Sequence, residues 1–208
     1  KKKNEGTNEG TKEGATMDVR AIIVAFVVLP LSFVVKTFHE LRRRWFAPTR
    51  ADHGDRVARV QAHVREAHRK KGSGLLLCTD RNSAQSHSVR LTNKKKWAKI
   101  AMGDLRSILG LSKDKQTGQA TLRCEPGVTV GEATRYLLKK GLILETCLEM
   151  EDATLGGLVS ALGMTTHSHV CGLIHETIVQ LDIVLADGTL VHASQENHSA
   201  LFNYLLHF

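Results

Sequence analysis

The sequence predicts an α+β domain preceded by a single membrane-spanning helix, and three observations carry that expectation. An uncharged apolar run, Ala21 to Val35, stands near the start between Arg20 and Lys36. Beyond residue 52, stripes at helical spacing and short strand-like runs follow one another in mixed order, without a strict strand–helix–strand repeat. Finally, Asp187-Gly188 separates two strand-like runs, one of the strongest short-range hairpin signals.

Composition narrows the classes. The chain has 208 residues, enough for one good-sized domain plus an anchor. Its formal net charge is +8, but the basic residues are scattered or flank the apolar run, and aromatics make up only 5%. A nucleic-acid surface would cluster basic and aromatic residues, so no nucleic-acid partner is expected. Cys78, Cys124, Cys147 and Cys171 lie far apart with no C-x-x-C pair, which argues against a metal site and fits reduced thiols on the cytosolic side.

Residues 1–17 carry a near-repeat, Asn4-Glu5-Gly6-Thr7, Asn8-Glu9-Gly10-Thr11, Lys12-Glu13-Gly14-Ala15. With almost no apolar side chains this tail is expected to be disordered. Met17, the first methionine, stands just before the apolar run and suggests a natural start there. The uncharged core covers only ~22 Å of a ~30 Å hydrocarbon layer. Counting Val19 to Phe38, with Arg20 and Lys36 reaching outward, brings the span close to ~30 Å. His39-Glu40-Leu41-Arg42-Arg43-Arg44-Trp45 is no signal-cleavage site, and its arginines and tryptophan suit a cytosolic interface. A signal anchor is therefore expected at 18–38, a juxtamembrane linker at 39–54 and a cytosolic domain at 55–208. A cleaved signal peptide or a buried soluble helix are the alternatives.

Asp55 to Lys71 places Val57, Val60, Val64 and Ala67 on one helical face, with Arg56, Arg59, Arg65 and Arg69 read as a solvated face. Leu75 to Cys78 reads as a buried strand leading into a polar loop, Thr79 to Ser88, and Lys94-Lys95-Lys96 as a further loop. Ile100-Ala101-Met102 and Ala120 to Cys124 read as strands separated by a turn region, Ser112 to Gly118. Thr129 with Glu132 three residues on is the capping-box pattern. Val130, Ala133, Leu137 and Leu138 make the stripe of the helix it opens, and Gly141 supplies a left-handed C-terminal residue. Leu142-Ile143-Leu144 restarts a strand-like run. From Thr177 to Ala186, Val179, Leu181, Ile183 and Leu185 alternate with Ile178, Gln180, Asp182 and Val184; after Asp187-Gly188 the run Thr189 to Ala193 pairs with it. Ser199 to Phe202 begins a last helix.

Thr154-Leu155-Gly156-Gly157-Leu158-Val159-Ser160-Ala161-Leu162-Gly163-Met164-Thr165-Thr166 is the stretch with the most chemistry. Thr154 can cap a short helix, and Gly156 and Gly157 carry no Cβ, so a ligand can come close to their amides. Such a helix start suits a phosphate or diphosphate. The alternative is a helix whose glycines only permit tight packing.

Glu125-Pro126-Gly127-Val128-Thr129-Val130-Gly131, Thr154 to Leu158, Gly172-Leu173 and Val184 to Gly188, taken in that order, resemble the PCMH-type FAD-binding domain of the vanillyl-alcohol-oxidase superfamily. Within it the chain is most similar to the Delta(24)-sterol reductases, through Leu29-Pro30-Leu31-Ser32, Gln61 to Glu66 and Ser168-His169. The resemblance implies two small α/β subdomains holding FAD between them. Thr154 to Thr166 match the central FAD-contacting segment, and Thr79 to Ser88 the first flavin loop. It also implies noncovalent FAD without attachment at His87, NADPH as reductant, a sterol side-chain double bond as substrate, and an endoplasmic-reticulum anchor. Members of the family continue beyond Phe202 with a further flavin segment and a substrate-covering domain, so the chain reads as an N-terminal part and no catalytic residue is assigned. Two other readings stay open: a noncatalytic flavin-binding or interaction module, and an oxidoreductase of the same superfamily acting on a sugar acid or alcohol.

Overall fold

The structure, a computed structural model, describes residues 19–45, 48–70, 76–80 and 97–207. Two compact units divide the chain near residue 46. The expected disordered tail, most of the loop Thr79 to Ser88, and Lys94 to Lys96 lie outside the described residues.

The described residues of the first unit, 19–45, are helical. Helix α1 (Val19–Ile23) passes through one π-helical turn, Val24–Val28, into helix α2 (Leu29–Trp45). Proline 30 has no N–H, and Leu29 N–H reaches five residues back to Val24 O, so the wide turn sits where the proline interrupts the ladder. Ser32 Oγ and Thr37 Oγ1 donate to Leu29 O and Phe33 O, both at 2.8 Å, leaving neither hydroxyl bare among apolar side chains. The stretch Val19–Arg43 is 25 residues long and apolar enough to cross a membrane. At 1.5 Å per residue it measures ~37 Å, more than a ~30 Å hydrocarbon layer needs. Helix continues to Trp45, through the first half of the segment expected as a linker. Glu40, Leu41 and the arginines are good helix formers, and no glycine or proline stops the chain there.

The second unit opens with a short 3-10 turn, Arg50–Asp52, and helix α3 (His53–Arg69). Strand β1 (Leu77–Thr79) pairs in parallel with β2 (Ala98–Ile100). Strands β3 (Ile108–Lys113) and β4 (Ala120–Cys124) form an antiparallel pair joined by a turn in which Gly118 N–H meets Asp114 O at 3.0 Å. Strand β3 was not expected from the sequence. Its Gly110 and the irregular register between Ile108 and Gly110 interrupt the alternation that marks a strand.

Helix α4 (Val130–Leu138) has the expected reciprocal cap: Glu132 N–H donates to Thr129 Oγ1 at 3.2 Å and Thr129 N–H to Glu132 Oε2 at 2.9 Å. It ends where Leu142 N–H bonds Leu137 O, with Gly141 at φ +68. Leu138, expected in the buried stripe, is exposed. Leu142-Ile143-Leu144 is no strand: Leu142 N–H is spent on the helix cap, and Ile143 is 70% exposed.

Helix α5 (Leu155–Val159), helix α6 (Ser168–Cys171) and a 3-10 turn, Ile174–Thr177, follow. Strands β5 (Gln180–Val184) and β6 (Leu190–Ser194) form the expected hairpin, and helix α7 (Ser199–His207) closes the order. The hairpin loop is one residue longer than an Asp-Gly dipeptide suggests. Gly188 N–H bonds Leu185 O and Leu185 N–H bonds Thr189 O, so Ala186, Asp187 and Gly188 make the turn, with Gly188 at φ +82. Gln61 Nε2 donates to Gly188 O at 2.9 Å, pinning this turn to α3.

Three apolar clusters hold the unit. Val60, Val64, Ile100 and Leu105 pack with Val184; Val130, Leu158 and Ile174 pack with Leu155; Ala193, Phe202 and Leu206 pack with Val159, Leu181 and Ile183. Strand β5 therefore serves two clusters, one from each face, which is why Val184 is apolar although it alternates with Leu181 and Ile183.

Candidate functional site

Two sequence motifs, 23 residues apart, lie side by side. Thr129 and Thr154 form an antiparallel bridge, flanked by Val130 N–H to Ala153 O at 2.8 Å and Leu155 N–H to Val128 O at 2.9 Å. Gly156 N–H extends the ladder to Pro126 O at 3.0 Å. The segment ahead of the capped helix α4 and the segment opening α5 are thus stitched backbone to backbone.

This pairing divides the two adjacent glycines. A Cβ on Gly156 would collide with the Pro126 ring, so that glycine is there for close packing. Its amide and that of Leu155 are already engaged and cannot receive an anion. Thr154 takes the N-cap position with an extended backbone, but its side chain makes no capping hydrogen bond. The expectation of a helix start with bare amides is therefore corrected at Leu155 and Gly156, and the packing alternative holds there. Gly157 differs: it is exposed, and among the described residues its N–H donates to no backbone carbonyl.

The remaining predicted residues also split. Thr154, Leu158 and Gly163 are buried; Leu155, Gly156, Val159 and Thr165 are half-buried; Gly157, Ser160, Ala161, Leu162, Met164 and Thr166 are exposed. Leu158 belongs to the core with Val130 and Ile174, and Val159 packs towards Phe202. Thr165 is used locally, its amide taking Ser168 Oγ at 2.9 Å and its Oγ1 accepting from His167 N–H at 3.1 Å. His169 Nδ1 lies 3.1 Å from Thr166 O.

An exposed glycine amide with no Cβ, followed by exposed hydroxyl and apolar side chains, suits a ligand with a phosphate-bearing and a flat apolar part. FAD is such a ligand, and on these residues the fit is good. From the loop Thr79 to Ser88 only Thr79 and Asp80 are described; Asp80 Oδ1 accepts from Met102 N–H at 3.0 Å, so the carboxylate is tied to the end of the parallel pair. His87 lies outside the described residues.

A second constellation escaped the sequence reading. Arg56, expected on a solvated face, is buried at 3% exposure. Its Nε and Nη2 donate to Glu125 Oε1 at 3.0 and 2.8 Å, and its Nη1 to Thr49 O at 2.8 Å. Glu125, 1% exposed, also accepts from Ser107 N–H at 2.6 Å, and His53 Nδ1 lies 2.7 Å from its Oε1. Ser107 Oγ donates to Pro48 O at 2.8 Å. A valine stripe accounts for α3 so well that one arginine among four gave no sign of burial. Glu125, standing directly before Pro126-Gly127 at a strand end, was the available clue. Beside it, burial and then the Glu125 charge push the Cys124 thiol up to about 11.

On the hairpin, Asp182 accepts from Arg123 Nη2 at 3.1 Å and from Gln180 Nε2 at 3.1 Å, and His192 Nδ1 lies 2.6 Å away. Burial alone would raise its pKa, but the hydrogen bonds from His192, Gln180 and Arg123 outweigh burial and hold it below the ordinary carboxylate range.

This α+β arrangement belongs to a known class. Residues 54–194 match the FAD binding domain family, and the chain belongs to that family. Among its relatives is the Delta(24)-sterol reductase of Pisum sativum, 32% identical over 191 residues, covering 88% of this chain and 33% of the relative. The enzyme of the same name from Homo sapiens is 34% identical over 187 residues, covering 88% and 35%. The chain spans about a third of the length of these curated relatives. In fold it is similar to 6-hydroxy-D-nicotine oxidase from Arthrobacter nicotinovorans, with a TM-score of 0.56 at 21% identity, covering 71% of this chain and 30% of the other.

Proposed function

We propose that this chain is the flavin-binding part of a membrane-anchored, FAD-dependent oxidoreductase of sterol-reductase type. Membership of the FAD binding domain family supports the cofactor, and similarity to Delta(24)-sterol reductases over 88% of the chain supports the substrate class. The observation that carries the reading is the exposed Gly157, whose amide meets no backbone acceptor among the described residues, in a segment where its neighbours' amides are consumed.

When bound, FAD supplies hydride acceptance and donation. The chain's part is to bind and orient. Gly157 N–H would hold the diphosphate, and the stitch between residues 126–131 and 151–156 fixes the backbone that precedes that amide. Leu158 and Val159 turn inward and anchor the segment, while Ser160, Leu162, Met164 and Thr166 are exposed and would hold the cofactor. Binding is noncovalent, NADPH is the reductant, and the substrate is a sterol dissolved in the bilayer. The apolar helix Val19–Arg43 keeps the domain at the cytosolic face of the endoplasmic reticulum membrane, close to that substrate.

The test is reconstitution of the purified full chain in detergent with excess FAD, followed by its absorbance near ~450 nm, where oxidised flavin absorbs. Wild type retains flavin through gel filtration, and Gly157→Glu loses it with helix content unchanged. No retained flavin in wild type refutes the cofactor; retention by Gly157→Glu refutes the placement of the diphosphate.

A further inference from the structure

The second unit holds a groove of about 240 Å³ that shares no residue with Thr154 to Thr166. Arg50 and Arg106 bring two positive charges to it, and Pro48, Ile108 and Val128 give it an apolar side. Its acidic lining residue, Glu132, is turned to the cap of α4, where its Oε2 accepts from Thr129 N–H at 2.9 Å. Arg50 is exposed, and among the described residues no carboxylate pairs with it. Its guanidinium lies beside Gly110, 3.6 Å from where a Cβ would stand. The wall that carries Arg50 is fixed from below. Pro48 O accepts from Ser107 Oγ and Thr49 O from Arg56 Nη1, both at 2.8 Å, and Glu125 holds Ser107 and Arg56 in turn. The groove is therefore formed before any ligand arrives.

Guanidinium groups beside an apolar wall suit a phosphate carried on an apolar body. Pockets that enclose a whole drug-sized ligand start near ~300 Å³, so this groove takes a headgroup and leaves the rest of its ligand outside. The chain itself names the source. Helix α2 ends at Trp45, and only residues 46 and 47 separate it from Pro48, at most ~11 Å of chain. The first wall of the groove is thus tied to the helix that is apolar enough to cross a membrane. We infer that the groove binds the phosphate headgroup of an anionic membrane lipid, which holds the second unit to the membrane surface. The inference rests on the membrane reading of Val19–Arg43 and is independent of the flavin.

Calorimetric titration of the full chain in a neutral detergent tests it with three probes: dihexanoyl phosphatidic acid, dihexanoyl phosphatidylcholine and inorganic phosphate. Phosphatidic acid binds about tenfold or more tightly than either of the others. Arg50→Gln weakens it about fivefold, the loss expected for one charge-assisted contact at an exposed site. Arg59→Gln, outside the groove and paired with Asp104 at 3.6 Å, binds as wild type does. Equal affinity for the two lipids overturns recognition by charge. Inorganic phosphate bound as tightly as phosphatidic acid overturns the lipid source. Affinity within about twofold of wild type in Arg50→Gln overturns the site. An alkaline carbonate wash of wild type reconstituted in phosphatidylcholine vesicles tests the helix separately. Release from the vesicles overturns the membrane reading and this inference together, whereas retention without binding of phosphatidic acid overturns the groove alone.

Discussion

Replacing Arg56 by methionine removes the guanidinium from a buried carboxylate and keeps most of the side-chain volume. Glu125 would keep Ser107 N–H at 2.6 Å and His53 at 2.7 Å, but lose both Arg56 bonds, at 3.0 and 2.8 Å, and the buried positive charge. Thr49 O would lose its donor as well. Stripping one partner from a buried ion pair costs about 3–5 kcal/mol, because the other charge stays desolvated and uncompensated. For a domain of this size that is a fall in Tm of roughly 6–20 °C. Circular dichroism melts of the full chain in detergent at neutral pH measure it. The double variant Arg56→Met/Glu125→Gln carries no buried charge and still offers a carbonyl oxygen to Ser107 N–H. It is expected to recover at least ~1 kcal/mol relative to additive single effects. A loss below ~1 kcal/mol for Arg56→Met, the range of an exposed pair, refutes the argument, as do strictly additive effects.

Gly156→Ala drives a methyl group into the Pro126 ring and is expected to cost about 1–3 kcal/mol in a denaturant melt; an unchanged midpoint refutes the packing role. Asp182 has a folded-state pKa below its unfolded value, so its network stabilises the domain above about pH 4 and that contribution is lost as pH falls through the folded value. Asp182→Asn should flatten this acid limb of a Tm-against-pH curve, and an unchanged limb would remove the network as its source. Cys147 is exposed, whereas Cys124 has its thiol pushed up to about 11. Iodoacetamide at pH ~8 should therefore alkylate Cys147 well before Cys124, since the thiolate is the reactive form. Mass spectrometry of the digest reads the order, and equal rates would refute the protected environment.

The parts legible in the sequence are those in which one local cause dominates. The apolar run, the Thr129–Glu132 capping box and Gly141 at the end of its helix are each set by neighbouring residues, and each stands as expected. What was not legible depends on partners distant in sequence. Arg56 is buried because Glu125, 69 residues later, is delivered to it by β4. Leu142 to Leu144 carries the apolar character of a strand, but among the described residues no neighbouring strand pairs with it. Strand β3 is broken in pattern by Gly110, whose open side lies against the Arg50 guanidinium.

The Gly156-Gly157 pair shows how far such a motif reads. Sequence alone leaves two explanations, close packing and ligand approach, and treats the pair as one signal. The backbone assigns close packing to Gly156, and ligand approach remains the proposal for Gly157. Pro126 occupies the open side of Gly156 and takes its amide, whereas among the described residues the next amide donates to no backbone carbonyl. A substitution at either glycine would then have opposite signatures: at Gly156 a loss of stability that carries flavin retention down with it, at Gly157 a loss of flavin retention in a domain that still melts as wild type. If instead Gly157→Glu lowers Tm as far as Gly156→Ala, both glycines are packing residues and the anion site must be sought elsewhere in the chain.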